Sequence, residues 1–210
     1  MKKRNAIVAQ SGGPTAVINM SLAGVVTAAR APSVGKRGGI GRIYGARHGI
    51  DGVLKDDLVD FTGMTVEKLC KIAQTPSAAL GSSRRKPTAE DCAALIERFK
   101  AHDIGWFFYI GGNDSADTLR IVAEESRKAL WPVRCVHVPK TIDNDLRSCD
   151  VTPGYGSAAR FVAIAMMGDD LDARALGGVK IDVVMGRDAG FLVAASSLAR
   201  RKRGDGPHVI

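Results

Sequence analysis

The chain has 210 residues, of which 45% are hydrophobic and 25% charged, and its formal net charge is +8. These proportions are typical of a globular protein with one large domain or two small ones. The positive charge favours a polyanionic partner, but the basic runs at 1–4, 83–86 and 200–203 lie far apart, and only 5% of residues are aromatic. No platform for stacking bases is therefore indicated, and we expect a phosphorylated small molecule rather than nucleic acid.

The start of the chain and the cysteines bear on where the protein is found. The first apolar run ends at the Gly-Gly-Pro of 12–14, too early for the core of a signal peptide. No stretch reaches the roughly 18 apolar residues that cross a bilayer. The cysteines show neither C-x-x-C spacing nor a histidine cluster, so we expect reduced thiols and no zinc site at Cys70, Cys92, Cys135 and Cys149. Together these features predict a soluble, cytoplasmic protein without membrane association.

Short apolar runs alternate along the chain with longer segments of helical period. The runs predict strands at 5–10, 40–46, 104–110, 133–138 and 179–185. The longer segments predict helices near 16–30, 65–74, 88–101, 115–130, 156–171 and 189–201. The strand runs are continuously apolar, as expected of strands covered by helices on both faces of a parallel sheet. The pattern therefore predicts an α/β fold built on a doubly wound parallel sheet.

Two glycine-rich turns follow predicted strands, where ligands bind in sheets of this class. The first, "SGGPT" at 11–15, lets backbone N–H groups approach an anion at the start of a helix, although a plain tight turn explains it equally well. The second, "GGNDS" at 111–115, adds an amide, a carboxylate and a hydroxyl. Two such turns reinforce each other, and they predict a site for a polyphosphate and a metal ion.

Two further polar stretches follow predicted strands. "PKTIDND" at 139–145 places Lys140, Asp143 and Asp145 close together, which suits metal coordination or removal of a proton from an attacking hydroxyl. An ordinary turn remains the alternative. In "MGRDAG", Arg187 could pair with a transferring phosphoryl group, although a lone arginine is more often solvated.

Two common nucleotide-binding motifs are missing or misplaced. The P-loop pattern G-x-x-x-x-G-K-[ST] does not occur. "GYGSAA" at 154–159 matches the weak form of a dinucleotide fingerprint, but the residues before it do not read as a strand. We therefore expect neither a P-loop enzyme nor a Rossmann dinucleotide site.

Seven stretches, in the same order, resemble those of the phosphofructokinase family: "SGGPTAVIN", "GARHGIDGVL", "LGSSRRKP", "GGNDS", "PKTIDND", "PGYGSAARF" and "VMGRDAG". Asp114 and Lys140 point to its pyrophosphate-dependent branch, since ATP-using members generally have glycine at both positions. A carboxylate at 114 would repel the α-phosphate of a nucleotide by about 1 to 4 kcal/mol, and Lys140 would attract pyrophosphate. Lipid and NAD kinases share a similar glycine turn, but not the "PKTIDND" and "MGR" pair.

The resemblance implies a role for each of these positions. The residues that bind the phosphoryl donor would be Gly12, Gly13, Arg84, Gly112 and Ser115, with Arg84 bridging donor and acceptor phosphates. The catalytic residues would be Asp143, the general base for the sugar's 1-hydroxyl, with Lys140, Asp114 and Arg187. The residues that bind the sugar phosphate would be Thr141, Ile142, Asp143, Asp145, Met185, Gly186 and Arg187. Magnesium (Mg²⁺) would be held near Asn113 and Asp114.

The resemblance also implies an organisation and an activity. Residues 1–145 would form the phosphoryl-donor-binding domain, and 146–210 the start of a sugar-phosphate-binding α/β domain that is only partly present. The reaction would transfer phosphate reversibly from pyrophosphate to fructose 6-phosphate in glycolysis or gluconeogenesis, in a homo-oligomer. The alternatives are an ATP-dependent 6-phosphofructokinase and a non-catalytic fragment or regulatory subunit of the same family.

Overall fold

The structure is a computed structural model that describes residues 3–31 and 39–210. Its contacts divide the chain into two compact units, Met1–Lys140 and Thr141–Ile210. The predicted division by role, with its boundary at residue 145, stays a prediction.

The first unit is built on a five-stranded sheet. Its described strands are β1 (Arg4–Gln10), β2 (Ile40–Ala46), β3 (Leu58–Asp60), β4 (Ile104–Gly111) and β5 (Arg134–Pro139). Its described helices are α1 (Ile18–Ala29), α2 (Ile50–Lys55), α3 (Val66–Gln74), α4 (Ala89–Ala101) and α5 (Asn113–Lys128). The strands lie in the order β3-β2-β1-β4-β5, and every neighbouring pair is parallel except the antiparallel edge pair of β2 and β3.

Helices cover both faces of this sheet. In β1, Ile7 and Ala9 pack into one core cluster with α2, α4 and α5, whereas Val8 packs into the other with α1 and α3. Successive side chains of a strand point to opposite faces, so a strand buried on both faces needs an unbroken apolar run. The predicted doubly wound α/β fold is therefore confirmed. The short elements β3 and α2 were not predicted, because three and six residues are too few to show a period.

The second unit is helical. It contains α6 (Tyr155–Leu176), the short helix α7 (Phe191–Ala195) and a 3₁₀ turn at Ser196–Ala199. Here α6 packs against α7 around a small apolar cluster. Among the described residues, no helix of the protein has the length and apolar character needed to cross a membrane.

The predicted strand at 179–185 is wrong. Residues 141–210 are all described, and they contain only an isolated bridge between Thr141 and Gly154. The side chains of Val179, Ile181 and Val183 are 94%, 86% and 93% exposed. A strand is held by hydrogen bonds to a neighbouring strand, and this unit offers none, so apolar β-branched residues alone do not make one here. Residues 141–210 accordingly contain no sheet, and the assignment of a second, only partly present α/β domain stays a prediction.

Candidate active site

The sheet order places a crevice between the carboxyl ends of β1 and β4. From β1 the chain goes to β2 on one side of the sheet and later returns to β4 on the other side. The connections that follow β1 and β4 therefore run to opposite sides of this position. Doubly wound sheets bind ligands in the gap between two such connections. The two glycine-rich turns, which begin at Ser11 and at Gly111, both lie here.

A buried pair of hydroxyls joins the two turns. Ser11 Oγ hydrogen-bonds with Ser115 Oγ, and the Ser11 N–H donates to the Ile110 carbonyl at 2.9 Å. Gly111 makes this contact possible, since a Cβ there would lie 2.0 Å from Ser115 Oγ and 2.3 Å from Ser11 Oγ. The predicted donor-binding hydroxyl of Ser115 is thus already engaged in holding the crevice together.

Lys140 lies beneath the first glycine turn. Its side chain is 3% exposed, and its ammonium donates to the carbonyl oxygens of Ser11 at 3.1 Å and Gly13 at 2.5 Å. Its backbone N–H donates to the Gly111 carbonyl at 3.0 Å, at the end of β4. Lys140 therefore contacts the first turn through its ammonium and the end of β4 through its backbone N–H, and it places positive charge under the crevice.

The first glycine turn is also fixed from its other side. Gly12 has φ +74°, a left-handed conformation that favours glycine, and its N–H donates to the Ser83 carbonyl at 3.0 Å. The Ser82 hydroxyl donates to the Gly12 carbonyl at 2.5 Å. Because the Gly12 amide is committed to Ser83, Gly13 is the better candidate of the two for a backbone contact to an anion.

An ion-pair network anchors the segment that carries Ser82 and Ser83. The Arg85 guanidinium donates to Asp91 at 2.6 and 3.2 Å and to Asp51 at 2.9 Å. Asp91 also forms the capping box of α4 with Thr88. The Thr88 N–H and the Arg85 guanidinium hold the pKa of Asp91 below its usual value. The network therefore keeps Asp91 charged and Arg85 fixed in place.

The residues on either side of Arg85 extend towards the crevice instead. Arg84 is exposed, and one terminal nitrogen lies 3.9 Å from where a Cβ on Gly13 would be. The Lys86 ammonium lies 3.0 Å from an Asp114 carboxylate oxygen. Two cations of the "SRRK" run thus reach the two glycine turns.

Asn113 and Asp114 form the first turn of α5, and both are exposed. Gly112 is the N-cap residue of this helix. A carboxylate at a helix N-terminus is favourable, because the helix dipole is positive there. In the described ranges, no group of three His, Cys, Asp or Glu side chains is arranged to hold a metal ion.

In the second unit, the predicted residues after Lys140 form a compact turn. The Thr141 hydroxyl accepts a hydrogen bond from the Asp143 N–H at 3.1 Å. Asn144, which is 8% exposed and has φ +59°, accepts from the Thr152 N–H at 2.8 Å. This turn leaves Asp143 partly exposed and Asp145 exposed.

The other predicted residues of the second unit lie in a turn before α7. Gly186 has φ +152°, and a Cβ there would lie 2.4 Å from the Ala189 carbonyl oxygen. Met185 and Arg187 on either side are exposed. Ile142 and Val184 pack against the same apolar cluster of α6 and α7, which brings both predicted sugar-phosphate segments onto one core.

Several residues of the crevice were not predicted from the sequence. Lys86 was noted only as part of a basic run, yet it pairs with Asp114. Ser11 and Arg85 were not singled out, although both position predicted residues. The Thr15 hydroxyl oxygen is buried in the first turn and has no hydrogen-bond partner in the part of the chain that the structure describes. Only the basic run "SRRK" offered a signal for any of them.

The chain is similar in sequence and in fold to known proteins. The family model of phosphofructokinase matches residues 5–203. The chain is 53% identical over its whole length to a pyrophosphate–fructose 6-phosphate 1-phosphotransferase of Rhodospirillum rubrum, and 42% identical to one of Halomonas elongata. A solved pyrophosphate-dependent phosphofructokinase from Marinobacter aquaeolei matches 99% of the chain at 42% identity, with a TM-score of 0.85.

These relatives are longer than the chain. It covers 51% of both curated relatives and 52% of the Marinobacter aquaeolei chain, and so spans about half their length. The match to the family model nevertheless includes every segment that forms the crevice. On this match and on 53% identity along its whole length, the chain belongs to the phosphofructokinase family.

Proposed function

We propose that the protein transfers a phosphoryl group between pyrophosphate and fructose 6-phosphate, as a reversible pyrophosphate-dependent 6-phosphofructokinase. The names of its relatives support this choice of donor and acceptor. The observation that carries the donor assignment is the pair of charged residues at the crevice, Asp114 at its rim and Lys140 beneath it.

The crevice suits a short polyphosphate. Lys140 places a buried cation under the first glycine turn, Arg84 adds a second cation beside Gly13, and α5 presents its positive end after Gly112. A charge is attracted more strongly where water is excluded, so the buried ammonium should act on the donor even through the turn. Pyrophosphate has no adenosine to hold it, and positive charge must supply the binding instead.

The residues proposed to act on the acceptor follow Lys140 in the chain. Asp143 would take the proton of the sugar's 1-hydroxyl, while that oxygen forms a bond to phosphorus and the bridging P–O bond of pyrophosphate breaks to release phosphate. The hydrogen bond from its own N–H to Thr141 fixes the backbone at Asp143. Thr141, Ile142, Asp145, Met185, Gly186 and Arg187 would bind the sugar phosphate, with Arg187 also stabilising charge in the transition state.

Magnesium fits the donor site in a limited way. Mg²⁺ commonly binds through one or two carboxylates and the phosphates of a substrate, and Asn113 and Asp114 provide one amide and one carboxylate oxygen donor. Asp114 is also paired with Lys86, so the oxygens of pyrophosphate would supply most of the ligands. When bound, the ion would neutralise the charge of the donor.

The proposal further includes a cytoplasmic homo-oligomer that acts in glycolysis or gluconeogenesis.

Turnover tests this proposal directly. The purified chain would be given fructose 6-phosphate and Mg²⁺ with either pyrophosphate or ATP, and fructose 1,6-bisphosphate would be measured, with Asp143→Asn as the inactive control. We expect product with pyrophosphate and little with ATP. Product with ATP alone would identify an ATP-dependent enzyme instead. A folded sample that is inactive with both donors would support the non-catalytic alternative.

A further inference from the structure

We propose that Lys86 is a further residue that recognises the phosphoryl donor, by exchanging its partner Asp114 for a phosphate oxygen of the bound donor. The inference rests on the proposed function and extends it to a residue to which no role in the reaction has been assigned. It names a direct contact to the donor rather than a structural role.

The position of Lys86 is set by its anchored neighbour, Arg85. Arg85 is fixed by Asp51 and Asp91 on one side of the segment. Its neighbours reach the crevice, with Arg84 near Gly13 and Lys86 at Asp114. The anchored arginine therefore constrains where both neighbouring cations lie, and it places Lys86 at the rim of the site.

The ion pair between Lys86 and Asp114 can open. The side chains of Lys86 and Asp114 are 71% and 63% exposed, although their charged atoms lie 3.0 Å apart. Exposed ion pairs of this kind are weak, because water screens them and two long side chains must be immobilised. Pyrophosphate carries more negative charge than one carboxylate, so a donor bound beside Asp114 should attract the ammonium away from it.

The same ion pair bears on the choice of donor. While Lys86 pairs with Asp114, the carboxylate is partly neutralised and opposes an incoming anion less strongly. Once the ammonium moves to the donor, Asp114 regains its charge and faces whatever lies beyond the contacted phosphate. Pyrophosphate has no further group beyond that phosphate. ATP, by contrast, would still have its α-phosphate and adenosine to accommodate near the carboxylate. Lys86 therefore favours pyrophosphate, and Asp114 penalises the nucleotide.

The test measures pyrophosphate binding by calorimetry, in the presence of Mg²⁺, for the unaltered chain and for Lys86→Met. We expect Lys86→Met to weaken binding at least about fivefold, the factor that one charge contact at 4 Å is worth in water. The matched control is Lys71→Met, which breaks an equally exposed pair with Glu67 on α3, 74% and 76% exposed. This control should bind like the unaltered chain, and Lys86→Arg should restore most of the affinity.

A second pair of variants separates a direct contact from a merely neutralising one. In an Asp114→Asn background, Lys86→Met should again weaken pyrophosphate binding by at least about fivefold, because the ammonium contacts the donor itself. If the loss disappears in that background, Lys86 acts only by screening Asp114, and the proposal is wrong. Equal binding by Lys86→Met and the unaltered chain would also overturn it. An unaltered chain that binds no pyrophosphate would instead overturn the proposed function, and this inference with it.

Discussion

The ammonium of Lys140 lies 2.5 Å from the carbonyl oxygen of Gly13, so the lysine holds the first glycine turn from below. The resemblance had assigned Lys140 to the donor as a catalytic cation. In the structure the same ammonium is also a structural element, because it fixes the turn whose backbone would contact the donor. Binding of the donor and the conformation of the first glycine turn would therefore both depend on Lys140.

This double role predicts two losses for Lys140→Met. Two carbonyl oxygens lose their donor, which we expect to lower the free energy of unfolding by about 1 to 3 kcal/mol. Pyrophosphate affinity should fall at least about tenfold, because the buried charge is removed. Urea unfolding and calorimetry would measure the two effects, with Lys71→Met as the control. Unchanged pyrophosphate affinity in a folded variant would contradict the assigned role of the ammonium.

The hydroxyl pair of Ser11 and Ser115 predicts that Gly111 cannot be replaced. Its Cβ would fall 2.0 Å from Ser115 Oγ, and both hydroxyls are buried, so Gly111→Ala should cost about 1 to 3 kcal/mol of stability. The matched control is Gly24→Ala in α1, where a Cβ meets nothing within 4 Å and alanine should stabilise the helix by about 0.5 to 1 kcal/mol. Thermal unfolding would compare them. Equal melting temperatures would show that the crevice tolerates the extra atom.

The anchoring network predicts a dependence of stability on pH. Asp91 has a pKa below its usual 3.8, chiefly because the Thr88 N–H and then Arg85 donate to its carboxylate. A group whose pKa is lowered by folding contributes stability above its unfolded value and loses it as the pH falls through the folded value. Asp91→Asn should therefore reduce the loss of stability between about pH 6 and about pH 2.

The control for this measurement is Asp117→Asn, which removes a carboxylate from an exposed pair with Arg120. In urea unfolding experiments over the same pH range, the free energy of unfolding of this variant should change with pH as that of the unaltered chain does. If Asp91→Asn and the unaltered chain lose stability in parallel as the pH falls, the network does not contribute in the way described.

Donor choice predicts the behaviour of a double variant, Asp114→Gly with Lys140→Gly. It removes the carboxylate that we propose to oppose a nucleotide and the buried cation that we propose to favour pyrophosphate, so the ratio of kcat/KM for the two donors should move towards ATP. Because Lys140 also holds the glycine turn, circular dichroism must first show that the variant is folded. An unchanged donor ratio in a folded variant would refute this account of donor choice.

Much of the first unit could be predicted from the sequence. The strand runs around Ile7 and Phe107 are unbroken because helices bury both faces, and their order places the glycine turns at one edge of the sheet. The strand at 179–185 could not be judged in the same way. Its residues have strand character, but a strand exists only with a partner, which a local pattern does not reveal.

The candidate site shows the same limit at the level of side chains. Asp114 and Lys140 were recognisable through the family resemblance, because ATP-using members generally have glycine at both positions. Their partners were not, because Lys86 lies 28 positions from Asp114 and Ser11 lies 104 positions from Ser115. Contacts between residues so far apart depend on the sheet order, which becomes known only with the fold.

A crystal structure of the chain with pyrophosphate and Mg²⁺ would test the central claim most directly. We predict pyrophosphate in the crevice of the first unit, in contact with the Gly13 backbone, the first turn of α5 and the ammonium of Lys86. Pyrophosphate bound elsewhere, with the Lys86–Asp114 pair intact and the crevice empty, would contradict the assignment of this crevice as the donor site.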